Sequence, residues 1–327
     1  MLRRWPRKFR DRTTERPLPP VQPRFHSRFG GLWTDLNTAR DLLAGKVALG
    51  LISESEAELV GHWIDHGYVV IPRAADETLV DQARGDLEAC LDGRMPRPLL
   101  SYWDEEETKR FVPARRELVS KREAKILDLH RISPAVQRLI FSEPIRRFLH
   151  LVFERPALAF QTLTFLYGSE QSLHQDSAYV RVTSPLELVA SWIALEDIEE
   201  GSGELTYYPG SHRLPEWLFD GQFKWAPRNS PELECYSQRL RQRALDANLK
   251  PRIFRPRRGD ALIWSADLIH GGTPRSKPGA TRRSIVTHYC PVDQRPTYFQ
   301  ESERRQAPGS DVDWITGDPS FTFAENQ

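Results

Sequence analysis

The chain predicts a mainly β fold with flanking helices, a double-sheet jelly roll, and a change of pattern near residue 155 carries that expectation. Before it, apolar residues recur at helical spacing. From Ala157 onward come short strand-like runs, mostly bounded by Gly, Pro, Ser or Asp. Helical segments followed by seven or eight short strands are the order expected of two packed sheets with helical support. The 327 residues, 39% hydrophobic and 28% charged, suffice for a substantial core. We expect one elaborated domain over 31–327: mostly helical support over 31–155, the jelly-roll core over 156–290 with an aromatic insert at 214–250, and a C-terminal tail or lid over 291–327.

The elements run in order along the chain. Residues 1–30 carry a basic, Pro-rich arm, with Arg3, Arg4, Arg7, Lys8, Arg10, Arg12, Arg16 and Arg24 against Asp11 and Glu15, and read as a poorly ordered arm rather than a targeting signal. Asp35 to His66 predicts two helices, and Gly67-Tyr-Val-Val-Ile-Pro72 a short strand. Asp76 to Leu91 predicts a helix capped by Asp76, with Leu79, Val80, Ala83, Leu87 and Cys90 as its apolar stripe. Residues 101–125 alternate acids and bases and read as an exposed loop or helix. Ser133 to Phe153 predicts two helical pieces split near Pro144. Strands are expected at Phe160 to Tyr167, Leu173 to Val182, Leu186 to Leu195, Leu205 to Tyr208, Arg252 to Pro256, Ala261 to Trp264 and Arg283 to Tyr289. The insert contains Trp217, Phe219, Phe223 and Trp225, then an amphipathic helix near Leu233 to Leu249.

Composition narrows the function. With 46 basic and 45 acidic residues the net charge is +1, so no global field recruits nucleic acid or an anionic membrane. No apolar stretch approaches the roughly 18 to 20 residues of a membrane span. Cys90, Cys235 and Cys290 lack C-x-x-C spacing, which argues against a disulfide framework or a structural zinc and fits a reducing cytoplasm.

Chemistry concentrates in Gln171-Ser-Leu-His-Gln-Asp-Ser-Ala-Tyr179. On a strand, His174 and Asp176 project to one face while Gln175 points away. Alone, H-x-D is more often a surface pair than a ligand pair. A second histidine, His270, follows the turn and apolar run Arg258-Gly-Asp-Ala-Leu-Ile-Trp-Ser265 and precedes Gly271-Gly272, which places it where a strand meets a loop. His174, Asp176 and His270 together make a two-histidine, one-carboxylate set of the kind that holds Fe(II) with open positions. His62 and His66 lie one helical turn apart without a supporting carboxylate motif and read as a solvated helix face.

Eight segments occur in a specific order: Gly67-Tyr-Val-Val-Ile-Pro, Ser172-Leu-His-Gln-Asp, Ser191-Trp-Ile-Ala-Leu-Glu-Asp, Gly201-Ser-Gly-Glu-Leu, Tyr208-Pro-Gly-Ser-His-Arg213, Gly259-Asp-Ala-Leu-Ile-Trp, His270-Gly-Gly and Arg282-Arg-Ser-Ile-Val-Thr-His-Tyr289. From about Gly67 to Tyr289 the chain thereby resembles the phytanoyl-CoA dioxygenase family of Fe(II)- and 2-oxoglutarate-dependent oxygenases. The resemblance implies a double-stranded β-helix, a cupin-like jelly roll, with iron on His174, Asp176 and His270 and O2 as the oxidant. It also implies an arginine on the distal carboxylate of 2-oxoglutarate, where a guanidinium fork gives bidentate binding. The family's spacing before the aromatic matched by Tyr289 selects Arg282, with Arg283 on the opposite strand face as the alternative. Trp192, Gln161 and Ser284 are further candidates for co-substrate contact. The lysine usual on the strand before H-x-D has no counterpart in Phe165-Leu-Tyr-Gly. His212 resembles a structural turn of the family.

The implied activity is that of an Fe(II)- and 2-oxoglutarate-dependent dioxygenase that hydroxylates an unactivated C–H of a small molecule and releases succinate and CO2. Related halogenases have a small residue in place of the carboxylate ligand, and Asp176 fills that position. The competing readings are a jelly-roll metal-dependent isomerase that ignores 2-oxoglutarate and a non-catalytic module that binds sugars or small molecules. Tyr179, Trp217 and Phe219 are candidate substrate contacts, and Tyr298, Phe299 and Trp314 of the tail are candidate lid residues.

Overall fold

The computed structural model describes residues 25–227, 230–297 and 303–316. Its helices are α1 (Ala39–Ala48), α2 (Glu54–His66), α3 (Glu77–Leu91), α4 (Pro134–Ile140), α5 (Glu143–Phe153) and α6 (Leu233–Asp246). Its strands are β1 (Tyr68–Ile71), β2 (Leu99–Trp103), β3 (Lys109–Pro113), β4 (Arg122–Leu127), β5 (Ala157–Phe165), β6 (Val189–Ala194), β7 (Leu205–Tyr207), β8 (Arg252–Phe254), β9 (Ala261–Ser265), β10 (His270–Gly272), β11 (Ser284–Pro291), β12 (Arg304–Gln306) and β13 (Trp314–Thr316).

Local chemistry sets the helix ends. The Ser53 hydroxyl accepts from the Glu56 amide while Glu56 reaches back to the Ser53 amide, a reciprocal cap that starts α2. Asp76 accepts from the Leu79 amide at α3, and Ser133 caps α4 ahead of Pro134. Pro144 lies in the first turn of α5, where its missing N–H costs nothing, so it begins a helix rather than breaking one.

The larger sheet runs β1-β9-β6-β11-β5-β4-β2-β3, and the smaller runs β10-β7-β8. Strand alternation divides the larger sheet's residues between two cores. Val69, Val189, Ile193, Ile263, Ile285 and Tyr289 pack against α3, α4 and α5. The intervening Tyr68, Trp192, Ala194, Leu262, Trp264 and Val286 turn inward toward Leu205, Tyr207 and Phe254 of the smaller sheet. The full burial of large side chains such as Trp192, Trp264 and Tyr289, at roughly 25 cal/mol per Å² of apolar surface removed from water, holds the sandwich shut around a space that polar residues line.

Three expectations need correction. Residues 101–125 belong mainly to the antiparallel strands β2, β3 and β4, joined by a turn and by a short 3-10 helix at Arg116–Leu118, and these strands extend the larger sheet beyond β5. In β4, Ile126 faces the helical core, with the buried Ala124 two residues before it, while Lys125 and Leu127 face the interior cavity. Leu173 to Val182 is not a strand. His174 makes a single bridge to His270, and Asp176–Ala178 is a short 3-10 turn, so Asp176 is placed by a turn rather than by strand parity. Trp314 of the expected lid lies in β13, which pairs parallel to β5 at Leu158 and Ala159, and packs against the Leu158 and Phe160 cluster. Tyr298, Phe299 and the basic arm through Arg24 lie outside the described residues.

Among the described residues no helix is long and apolar enough to cross a membrane, and Cys90, Cys235 and Cys290 are unpaired.

Candidate active site

His174 and His270 face each other across an antiparallel bridge in which each amide donates to the other's carbonyl, at 2.8 and 3.0 Å. Both side chains therefore leave the backbone on the same side. His174 Nδ1 lies 2.8 Å from the Ser172 carbonyl, and His270 Nδ1 lies 2.9 Å from the Leu268 carbonyl. A carbonyl only accepts, so both Nδ1 atoms carry a proton, and Nε2 is the ring nitrogen that each histidine has left for a metal. The 3-10 turn brings Asp176 Oδ1 to 3.7 Å from His174 Nε2 and 3.6 Å from His270 Nε2. These three buried residues are the group of histidine, cysteine or acidic side chains positioned to hold a metal ion among the described residues.

The electrostatics suit a divalent cation. Burial and the neighbouring His270 push the His174 imidazole down to about 3, so it is neutral near pH 7. Burial alone raises the Asp176 carboxyl, but His270, His288 and His174 around it outweigh that and hold it well below the ordinary carboxylate range. Two imidazoles and one carboxylate are the donor set of a two-histidine, one-carboxylate centre, and the carbonyls behind both histidines fix ring orientation as metal sites require.

The donors open onto a cavity of about 190 Å³. Arg282, 2% exposed, lines it, with its guanidinium 5.3 Å from the Phe165 ring and 5.6 Å from the Trp192 ring. Its Nε finds no hydrogen-bond acceptor, and the residue forms no ion pair among the described residues. Burial lowers Arg282 to about 10, with Glu204 pulling the other way, so it stays cationic near neutrality. Glu204 itself is engaged by Arg255 and Thr273. A buried cation without an anion beside a metal donor set is a place for a carboxylate. Arg283 points elsewhere and pairs with Glu196 at 2.7 Å.

The other candidates divide. Gln161 and Trp192 line the cavity, and the Trp192 indole nitrogen also lacks a partner. Ser284 is buried on the face of Arg282, but its hydroxyl turns to the Arg282 carbonyl at 3.4 Å and stays off the cavity wall. Tyr179 stands at the mouth, 53% exposed, its ring 5.7 Å from His174. Trp217 and Phe219 do not line the cavity; they pack against Tyr236 with ring centroids 5.4 and 5.1 Å away. Gln175 turns from the donors, its amide donating to the Asp267 carbonyl at 2.7 Å. His212 packs over Gly67 beside the Ile64 carbonyl, and the His62 and His66 rings meet at a tilt on α2, with His62 also edge-on to Tyr68.

Two cavity residues escape the sequence pattern. Lys125 enters the cavity from β4, one residue before the Ile126–Thr164 pair, so a lysine stands on the cavity wall from the strand beside β5. Burial, reinforced by Lys109, lowers it to about 8. His288, 2% exposed, faces the cavity with neither ring nitrogen hydrogen-bonded and Nε2 3.5 Å from Asp176 Oδ2. The signal for both was strand alternation: Lys125 with Leu127, and His288 with Arg282 and Val286.

Solved structures share this fold. The solved epimerase SnoN in complex with Fe3+, alpha ketoglutarate and nogalamycin RO has a TM-score of 0.54 at 18% identity, covering 73% of this chain and 85% of that one. EctD from S. alaskensis with 2-oxoglutarate and 5-hydroxyectoine has a TM-score of 0.51 at 18% identity, covering 86% of each chain. The carbocyclase SnoK from nogalamycin biosynthesis has a TM-score of 0.53 at 17% identity, covering 72% of this chain and 84% of that one. At these identities the likeness is one of fold. No curated protein matches the chain. A family model described as phytanoyl-CoA dioxygenase (PhyH) matches residues 63–284, more than half of the sequence. The chain belongs to the phytanoyl-CoA dioxygenase family.

Proposed function

We propose that this protein is an Fe(II)- and 2-oxoglutarate-dependent dioxygenase that hydroxylates an unactivated C–H of a small molecule. The observation that carries the reading is the buried Arg282 guanidinium, which has no carboxylate partner and lines the same cavity as His174, Asp176 and His270. A metal site alone would not need that cation. A dicarboxylate co-substrate does.

Iron on the three ligands, with 2-oxoglutarate and O2, supplies the oxidative decarboxylation to succinate and CO2 that is coupled to oxidation of the substrate. The chain does the rest. Nε2 of His174, Nε2 of His270 and Oδ1 of Asp176 hold the ion. Arg282 takes the distal carboxylate of 2-oxoglutarate, and Lys125 adds a second cation on the cavity wall. Trp192, Phe165 and Leu163 exclude water behind it, and Gln161 gives a polar contact. Tyr179, at the mouth, meets substrate. The cytoplasm suits the three unpaired cysteines. The organisation is one oxygenase domain over 31–327.

The test is succinate release by iron-loaded protein with 2-oxoglutarate and O2 across a metabolite panel, with product identification deciding hydroxylation. The expected result is turnover that needs both iron and 2-oxoglutarate and vanishes in His174→Ala. Iron-loaded protein that neither binds 2-oxoglutarate nor forms succinate overturns the reading, and turnover independent of 2-oxoglutarate points to an isomerase.

A further inference from the structure

The described residues of 214–250 stand outside both sheets, and their chemistry meets the metal centre from behind. Lys224 is 2% exposed, an unusual place for an ammonium. Its Nζ lies 2.5 Å from Oδ2 of Asp267. The other oxygen of Asp267 accepts from the Ser177 hydroxyl at 2.5 Å. Asp267 stands three residues before His270, and Ser177 follows Asp176 directly. One carboxylate, fixed by Lys224, therefore ties together the two segments that carry the ligands.

Two further links run from the same insert to the same segments. The Tyr236 hydroxyl donates to the Gln175 side chain at 3.2 Å, and Gln175 in turn donates to the Asp267 carbonyl. The Ala226 amide donates to the Ala178 carbonyl at 2.8 Å. Every residue from Gln175 to Ala178 except Asp176 itself is thus held directly by Asp267 or the insert. A short turn, unlike a strand, has no ladder to fix it, and Asp176 is placed by such a turn. The hydrogen-bonded ion pair replaces the missing ladder.

We infer that Lys224 is a positioning residue for the metal centre, acting through Asp267 and Ser177 to hold the Asp176 turn in register with His270. The insert braces the ligands from behind, and its aromatic residues Trp217, Phe219 and Tyr236 form the core that anchors the brace. The inference rests on the metal reading of His174, Asp176 and His270. A buried ion pair is weak evidence for stability but good evidence for a fixed arrangement where groups must be held in place.

The test is Co(II) titration of the full chain, followed by visible absorption, with thermal unfolding in parallel. Lys224→Met leaves Asp267 buried without its cation and risks misfolding, so Lys224→Met combined with Asp267→Asn, which removes both charges and keeps an acceptor for Ser177, is the deciding variant. The expected result is a folded double variant that binds Co(II) about tenfold more weakly, the lower end of the effect of losing outer support at a metal site, with an altered Co(II) spectrum. A double variant that binds Co(II) within about twofold of the parent with the same spectrum overturns the inference, since a merely structural pair would move only the unfolding temperature. A parent protein that binds no Co(II) instead overturns the metal reading, and the inference falls with it.

Discussion

The Trp264 indole N–H donates to Oδ2 of Asp176 at 2.8 Å, inside the cavity wall. With Oδ2 taken by Trp264 and approached by His288, Oδ1 alone is turned toward the Nε2 atoms of the two histidines. Asp176 is therefore set to give a metal one oxygen rather than two. Trp264→Phe keeps the ring and removes the donor, which frees the carboxylate to rotate. The expected outcome is a folded protein whose Mn(II) affinity falls about tenfold, in the range for lost outer hydrogen bonds to a ligand, measured by calorimetric titration. An unchanged affinity would mean the indole serves packing alone.

Arg282 and Arg283 are adjacent in sequence and opposite in placement, the first on the cavity wall and the second paired with Glu196. Arg282→Leu removes the unpaired cation from the cavity, and 2-oxoglutarate affinity should fall by about 2 kcal/mol or more, the usual scale for a charge-assisted hydrogen bond. Arg283→Leu breaks a pair with Glu196 and should leave co-substrate affinity within a factor of two. Binding measured anaerobically on metal-loaded protein separates them, and equal losses in both would contradict the assignment.

That pair also shows how far the sequence is legible. Alternation alone puts Arg282 and Arg283 on opposite faces, and only the neighbours tell which face is the cavity. The three candidate ligands were readable as a set because their types and chain order are specific, although the strand expected at Leu173 to Val182 is a bridge and a turn. That difference escapes local pattern, since the turn is held by Asp267 and the insert, far away in sequence. Lys125 was hidden because alternating charge on a strand with one solvated face looks like alternating charge on a loop. Trp217 and Phe219 were recognisable as apolar, but composition does not say which of several clusters an aromatic ring joins.

Gly67 ends α2 with φ +74°, and a Cβ there would lie 2.5 Å from Nδ1 of the half-buried His212. Gly67→Ala should cost about 2 kcal/mol of stability, combining the left-handed penalty of roughly 1–2 kcal/mol with the steric one. Urea unfolding measures it. In a His212→Ala background the same substitution should cost only about 1 kcal/mol. An equal cost in both backgrounds would place the whole effect in the backbone.

Lys125 on the cavity wall links pH to stability and, under the proposed function, to co-substrate binding. Burial and Lys109 lower it from the ordinary 10.5 to about 8, so its charge opposes folding of the anion-free protein. A lysine lowered in the folded state costs stability fully below about pH 8, and that cost is relieved as pH rises from 8 toward 10.5. The shift corresponds to on the order of 3 kcal/mol at 1.36 kcal/mol per pH unit, discounted to about 2 kcal/mol because the residue is partly exposed. Lys125→Met should therefore stabilise the ligand-free protein by about 2 kcal/mol at pH 7, with a gain that shrinks above pH 8, as denaturant titrations at several pH values will show. Its 2-oxoglutarate affinity should fall at the same time. In the parent protein that affinity should weaken as pH rises beyond about 8, because the cation is lost, while the variant's pH profile stays flatter. A variant no more stable than the parent at pH 7, or one with the parent's pH profile for binding, would remove Lys125 from the co-substrate site.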